Sequence, residues 1–212
     1  MASRMQAPNE LNRDGAAPEA ILHPGSRRLF AYWNRLRGER GAPGRQEIDL
    51  RAISAILPWV GIIECCNRSR RHNWRLVGTG IARLWGGGLT GMEVAADWPE
   101  VYRSALVRAL DGIRDQSQPF VARLKAVSAN GEAVGIEIFA VPVDAGRTSM
   151  QTLCTVSPFR SPPWLGRVPL VDVELSSLTA IWLGPLPDEI RCGRGRLRSA
   201  SGFRLIRGGR SD

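Results

Sequence analysis

Lysine is almost missing from this sequence. Lys125 is the only one in 212 residues, so the 29 basic residues are otherwise arginine throughout. The pattern reads as a source-wide arginine preference as much as a selected phosphate-binding surface, so a solvated basic tail is the first expectation and a nucleic-acid or acidic-partner patch the alternative. Histidine is scarce too: His23 and His72 stand alone, far from any ligand spacing, and the cysteines (Cys65, Cys66, Cys154, Cys192) form no Cys-x-x-Cys. A zinc site is therefore not expected, and no metal ligand is assigned. Adjacent residues on a strand point to opposite faces, so Cys65 and Cys66 are not expected to pair. They read as free thiols in a reducing compartment. No apolar run approaches the roughly 18 residues that span a bilayer, and residues 1–25 carry no apolar signal core. These absences lead to the expectation of a cytoplasmic protein with no membrane partner.

Catalytic patterns are missing as well. Two isolated histidines supply no Ser-His-Asp arrangement. Gly78-Thr79-Gly80 precedes a helix but lacks the Gly-Lys-Ser/Thr of a phosphate loop and the third glycine at dinucleotide spacing. No convergent set of acids and bases is visible, and the expectation is a non-enzymatic protein.

What is present is a 43% hydrophobic composition, enough for one cored domain with tails. The stretch from Arg75 to Gly91 organises it: a strand end, a glycine break, a short helix bearing Ile81, Leu84 and Trp85 on one face, and a glycine-rich loop. Before it, residues 1–25 are expected to be disordered. Ser26 is a plausible N-cap for a helix over 26–37, with Leu29, Phe30, Trp33 and Leu36 on one side. Residues 48–57 read as a short helix stopped near Pro58. Residues 60–66 and 73–77 read as a strand hairpin. After it, Pro99 opens an amphipathic helix to about Gln116. Then come strands over 120–128, 134–143 and 149–156. The first alternates Phe120, Ala122, Leu124, Ala126 against Val121, Arg123, Lys125, Val127, and Asn130-Gly131 turns it into the second. The prolines between 158 and 169 end the sheet. Residues 171–183 fit either a strand pair or a strand and short helix. Residues 191–212 hold seven arginines and one acid, six of the nine net positive charges, in a mostly irregular tail in which 203–206 could add a short edge strand.

This order of elements resembles a PAS domain. Details are similar to a family of bacterial stand-alone PAS proteins: Tyr32-Trp33-Asn34-Arg35-Leu36, Pro43-Gly44-Arg45, Ile56-Leu57-Pro58, Arg75-Leu76-Val77-Gly78-Thr79, the Gly86 to Gly91 loop, Trp164-Leu165-Gly166 and Gly208-Gly209-Arg210. The resemblance implies an α+β fold: a PAS-like five-stranded antiparallel sheet with helices on one face, plus an N-terminal helix outside the core and an irregular basic C-terminal tail. Expected organisation is a disordered segment 1–25, a PAS-like domain with its flanking helix over 26–160, and a C-terminal extension over 161–212. The cysteine that light-sensing flavin PAS domains carry is absent here, as is the histidine that haem-binding ones usually place on the long helix, so the cofactor stays unknown.

The implied function is a sensory, ligand-binding or protein-interaction module in signalling or regulation, with a small-molecule ligand and a signalling partner protein. Arg75, Leu84, Trp85, Phe139 and Leu153 are the candidate ligand-binding residues, Trp85 for stacking and Arg75 for a polar group; simple core filling is the alternative for the apolar ones. Leu29, Phe30, Trp33 and Leu36 must be buried either on the chain's own sheet or on a second copy. PAS domains of this kind commonly dimerise through such a helix, so the homodimer interface is the favoured expectation. The alternative function is nucleic-acid binding through the arginine-rich tail.

Overall fold

The alternation along 120–128 sets the geometry of the whole sheet. In the computed structural model, which describes residues 17–65, 70–146 and 150–183, β3 (Phe120–Ser128) puts Phe120, Ala122, Leu124 and Ala126 into one apolar layer and Val121 into another. The remaining strands are β1 (Val60–Cys65), β2 (His72–Val77), β4 (Ala133–Asp144), β5 (Met150–Pro158) and β6 (Leu170–Ala180). They form one antiparallel sheet in the order β2-β1-β5-β4-β3-β6.

The sheet therefore has a sixth strand beyond the five expected. β6 pairs along β3 from Phe120↔Ala180 to Ser128↔Leu170. It covers an edge that would otherwise expose a row of unpaired backbone groups, and it buries Leu170 and Val173. Pro158 is the last residue of β5, paired with Ile136, and Pro162, Pro163 and Pro169 lie in the connection to β6, so the prolines do not end the sheet. The segment over 161–212, expected as an extension, thus begins by contributing to the domain's own sheet.

Helices cover both faces, not one. On the first lie α2 (Thr79–Leu84) and α3 (Glu100–Gln116), whose Leu106, Ala109, Leu110 and Ile113 share a core with Ile136, Ile138, Cys154 and Val156. Against the second pack α1 (Pro24–Arg37) and a 3-10 helix, Leu50–Trp59. The helix expected outside the core is thus part of it. Leu29 and Trp33 are fully buried among Val121, Phe139, Val141, Val143 and Leu153. The Trp33 indole Nε1–H donates to the Pro142 carbonyl at 2.7 Å. Leu36 is half-buried at the rim. The stripe expected to meet a second copy is consumed by the chain's own sheet, because β4 and β5 present apolar side chains on this face that a 14-residue helix is long enough to cover.

The helix start also differs. His23, not Ser26, caps α1: its Nδ1 accepts the Gly25 N–H at 3.0 Å. Ser26 lies inside the helix, its hydroxyl 3.2 Å from that of Thr155. Residues 17–25, expected to be disordered, are docked. Ile21 is fully buried, and the Leu22 and His23 N–H groups donate to the Glu137 carboxylate at 3.0 and 2.9 Å. The rest of the expected disordered segment (1–16), Cys66, Cys192, the arginine-rich tail and its edge strand over 203–206 lie outside the described residues. Among the described residues no helix is long and apolar enough to cross a membrane.

Candidate ligand cavity

Why does the chain break at Gly78? Its φ of −63° is ordinary, so the glycine is required by space rather than by backbone freedom. A Cβ there would stand 2.4 Å from the Pro58 carbonyl oxygen and 2.5 Å from that of Leu57. The missing side chain lets α2 start against the end of the 3-10 helix. One and a half turns later α2 ends at Trp85, and Gly86, Gly87 and Gly88 follow at φ of 78°, 94° and 71°. Such angles suit glycine alone without strain, and they turn the chain back toward β2. There Gly91 N–H donates to the Trp74 carbonyl, Trp74 N–H to Met92, and Val94 N–H to His72, at 2.6, 2.9 and 2.8 Å. The loop is laced to the β2 edge as a short extra pairing, Asn73↔Glu93.

This lacing leaves a cavity of about 80 Å³ between the sheet and α3. Ile63, Ile138, Ala140, Cys154 and Val156 form its floor, Leu106 and Leu110 its α3 wall, and Trp74, Trp85, Leu89 and Trp98 its sides. Met92, Ala96 and Asp97 are exposed and mark the open mouth. The carboxylates of Glu93 and Asp97 are the charged groups of the lining. Arg103 and Arg71 lie 3.5 and 3.8 Å from Glu93. The Cys154 thiol is fully buried and donates weakly to the Gly61 carbonyl; burial pushes its pKa up to about 12.

A polar brace holds the far wall. His72, on β2, is buried with Nε2 3.1 Å from Asp111 on α3. Arg114 reaches the same Asp111 oxygen at 2.7 Å and Asp115 at 2.7 Å. Burial lowers the His72 pKa, against the Asp111 hydrogen bond that raises it, and the net shift is downward. Ring and carboxylate thus tie together the two elements that carry Trp74 and Leu110.

Of the candidate ligand residues, Trp85 alone lines this cavity. Leu84 is fully buried in the core of the same side. Phe139 and Leu153 belong to the α1 side of the sheet, one residue out of phase with the floor residues Ile138 and Cys154. Arg75 is likewise one residue out of phase with Trp74. It bonds Glu64 at 2.9 Å, and Glu64 bonds Gln151 at 3.1 Å. Burial works against the Glu64 charge, but the bonds from Gln151 and Arg75 prevail and hold its pKa below the ordinary carboxylate value.

Sequence reasoning missed Trp74, Trp98, Glu93 and Asp97. Tryptophan at an edge strand and in an irregular loop was the available signal. Glu137 was missed too: a carboxylate inside the apolar run 134–143, here fully buried under the α1 entry.

No curated protein matches the chain. A PAS domain family does match, over residues 21–155, from the first buried residue of the docked segment to the middle of β5. A match over well more than half of the 212 residues, on a sheet ordered β2-β1-β5-β4-β3 before β6 is added, places the chain in that PAS domain family.

Proposed function

We propose that the chain is a non-enzymatic sensory module that takes a small, largely apolar ligand in the cavity between its sheet and α3. The observation that carries the reading is the cavity itself: an apolar floor with tryptophans 74, 85 and 98 around it. Sites of this kind combine apolar walls with a few polar groups. The interior of about 80 Å³ is smaller than the ~150 Å³ engineered cavity that admits benzene. A ligand therefore places a few heavy atoms inside and the remainder at the mouth, or the 92–98 loop shifts outward to enlarge the space.

A binding role also fits the lining chemistry. Among the described residues the lining contains no histidine, serine or lysine. Its one thiol, with a pKa pushed to about 12, stays protonated and is a poor nucleophile. Native mass spectrometry of the purified protein, with an absorbance scan, tests the reading. The expected result is a retained small molecule, or, for a protein purified empty, a rise in melting temperature with small aromatic compounds that an Ala140→Phe variant, which fills the floor, does not show. An empty protein that no such compound stabilises would overturn it.

A further inference from the structure

We infer that the cavity is built for a ligand carrying a positive charge, a protonated or quaternary amine attached to a small apolar or aromatic body. This rests on the proposal that the cavity binds a ligand at all. The charged residues that line the space are both acids, Glu93 and Asp97, and among the described residues no arginine, lysine, asparagine or glutamine shares the lining with them. An anionic ligand would meet two carboxylates with no lining cation to answer it. A neutral polar ligand could donate to the carboxylates but would leave their charge unanswered, and among the described residues it would find no amide or hydroxyl side chain in the lining.

A cation finds two kinds of partner. Trp74, Trp85 and Trp98 surround the space, and indole faces attract cations through the ring quadrupole, tryptophan most of all. Asp97 makes no side-chain hydrogen bond or ion pair among the described residues and stands at the mouth. Glu93 is partly answered by Arg71 and Arg103 at 3.8 and 3.5 Å. Arg103 is itself held by Glu100 at 2.6 Å, outside the lining. That leaves Asp97 as the uncommitted carboxylate, where an ammonium head would sit with its apolar body on Ile138, Ala140 and Val156.

The test is a matched series of three probes of nearly equal shape: benzylammonium, benzyl alcohol and benzoate, titrated calorimetrically at neutral pH and low ionic strength. The expected order is benzylammonium tightest, roughly tenfold or more over benzyl alcohol, with benzoate weakest. In an Asp97→Asn, Glu93→Gln double variant the cation advantage should fall severalfold while benzyl alcohol binds as before. Asp97 is exposed and Glu93 is half-buried beside Arg71 and Arg103, so unchanged benzyl alcohol binding also serves as the check that the double variant keeps its fold; a Trp98→Phe variant, which keeps a ring but weakens the quadrupole, gives a second, smaller loss for the cation alone. Equal binding of the three, a preference for benzoate, or a cation advantage that survives the double variant overturns the amine class and leaves the ligand cavity standing. No binding of any probe, to the wild type or after mild unfolding and refolding to empty the cavity, overturns both.

Discussion

The two faces of one sheet are finished differently. On the α1 face the helix is anchored by buried aromatics and polar bonds: Trp33, Phe139 and Leu153 share one core, and the buried Glu137 carboxylate accepts two backbone N–H groups at the entry of the helix. The gap left on this side, about 100 Å³, is lined by aliphatic Ile48, Leu50, Ile62, Val143 and Leu153 with Arg45 and Gln151, and has no aromatic in its lining among the described residues. The α3 face keeps a cavity edged by half-buried tryptophans and a laced loop. β4 serves both, with Ile138 and Ala140 on the cavity and Glu137, Phe139 and Val141 under α1. The contrast teaches a division of labour. The face anchored by a fully buried indole and a buried carboxylate supplies stability, and the face whose cavity is bordered by three tryptophans has something left to bind. Gaps in a core cost dispersion contacts, so the anchored parts of the sheet have to offset them.

The largest effect should come from breaking the anchored α1 face. Trp33→Ala removes a fully buried indole and its bond to Pro142, and a loss of about 3–5 kcal/mol is expected in urea unfolding. Trp85→Ala, at a half-buried edge of the cavity, should cost roughly 1 kcal/mol. Equal costs would remove the distinction between the faces. The Trp33 result also bears on assembly: with the stripe inside the protomer, the variant should lose stability rather than simply fall from dimer to monomer in sedimentation.

Next in size is the buried carboxylate. Glu137→Ala leaves the Leu22 and His23 N–H groups without their acceptor, a loss of about 3 kcal/mol. Hydrogen exchange should accelerate first at Leu22 and His23, and least in α3. Glu137→Gln, which keeps an acceptor oxygen, should recover much of the loss.

Much of this was legible in the sequence where a strand alternates. The residues 120–127 sort correctly by parity, since β3 has polar residues on one face. β4 defeats the same test. Residues 136–143 are buried on both sides, so hydrophobicity carries no phase, and Phe139 could not be told from Ile138. For β5 the same loss of phase put Leu153 on the cavity in place of Cys154. For 171–183 both readings contained a strand, but its place in the sheet was obscured: β6 is partly exposed, carries Asp172, Glu174, Ser176, Ser177 and Thr179, and is preceded by prolines that read as a stop. The α1 stripe was plain in the sequence, but its partner was not. A helix pattern states that a face must be covered and is silent on which surface covers it.

The smallest effect expected is in pH. His72 and His23 are both held below their ordinary value of 6.5, in each case chiefly by burial. The unfolded chain therefore binds protons near pH 6.5 that the folded chain refuses until lower pH. Stability from these rings is full above about pH 6.5 and declines as pH falls from there toward their folded pKa values. For His72→Gln the urea midpoint should change less with pH across this window than in the wild type. An unchanged slope would mean that His72 is not held neutral by the fold.

The division between the faces is tested most directly by methyl NMR during titration with benzylammonium. The account predicts shifts at Ile138, Ala140 and Val156, with Val141 and Leu153 unmoved although they lie on the same two strands. Shifts of equal size at Val141 and Leu153, or none at Ile138, Ala140 and Val156, would contradict it.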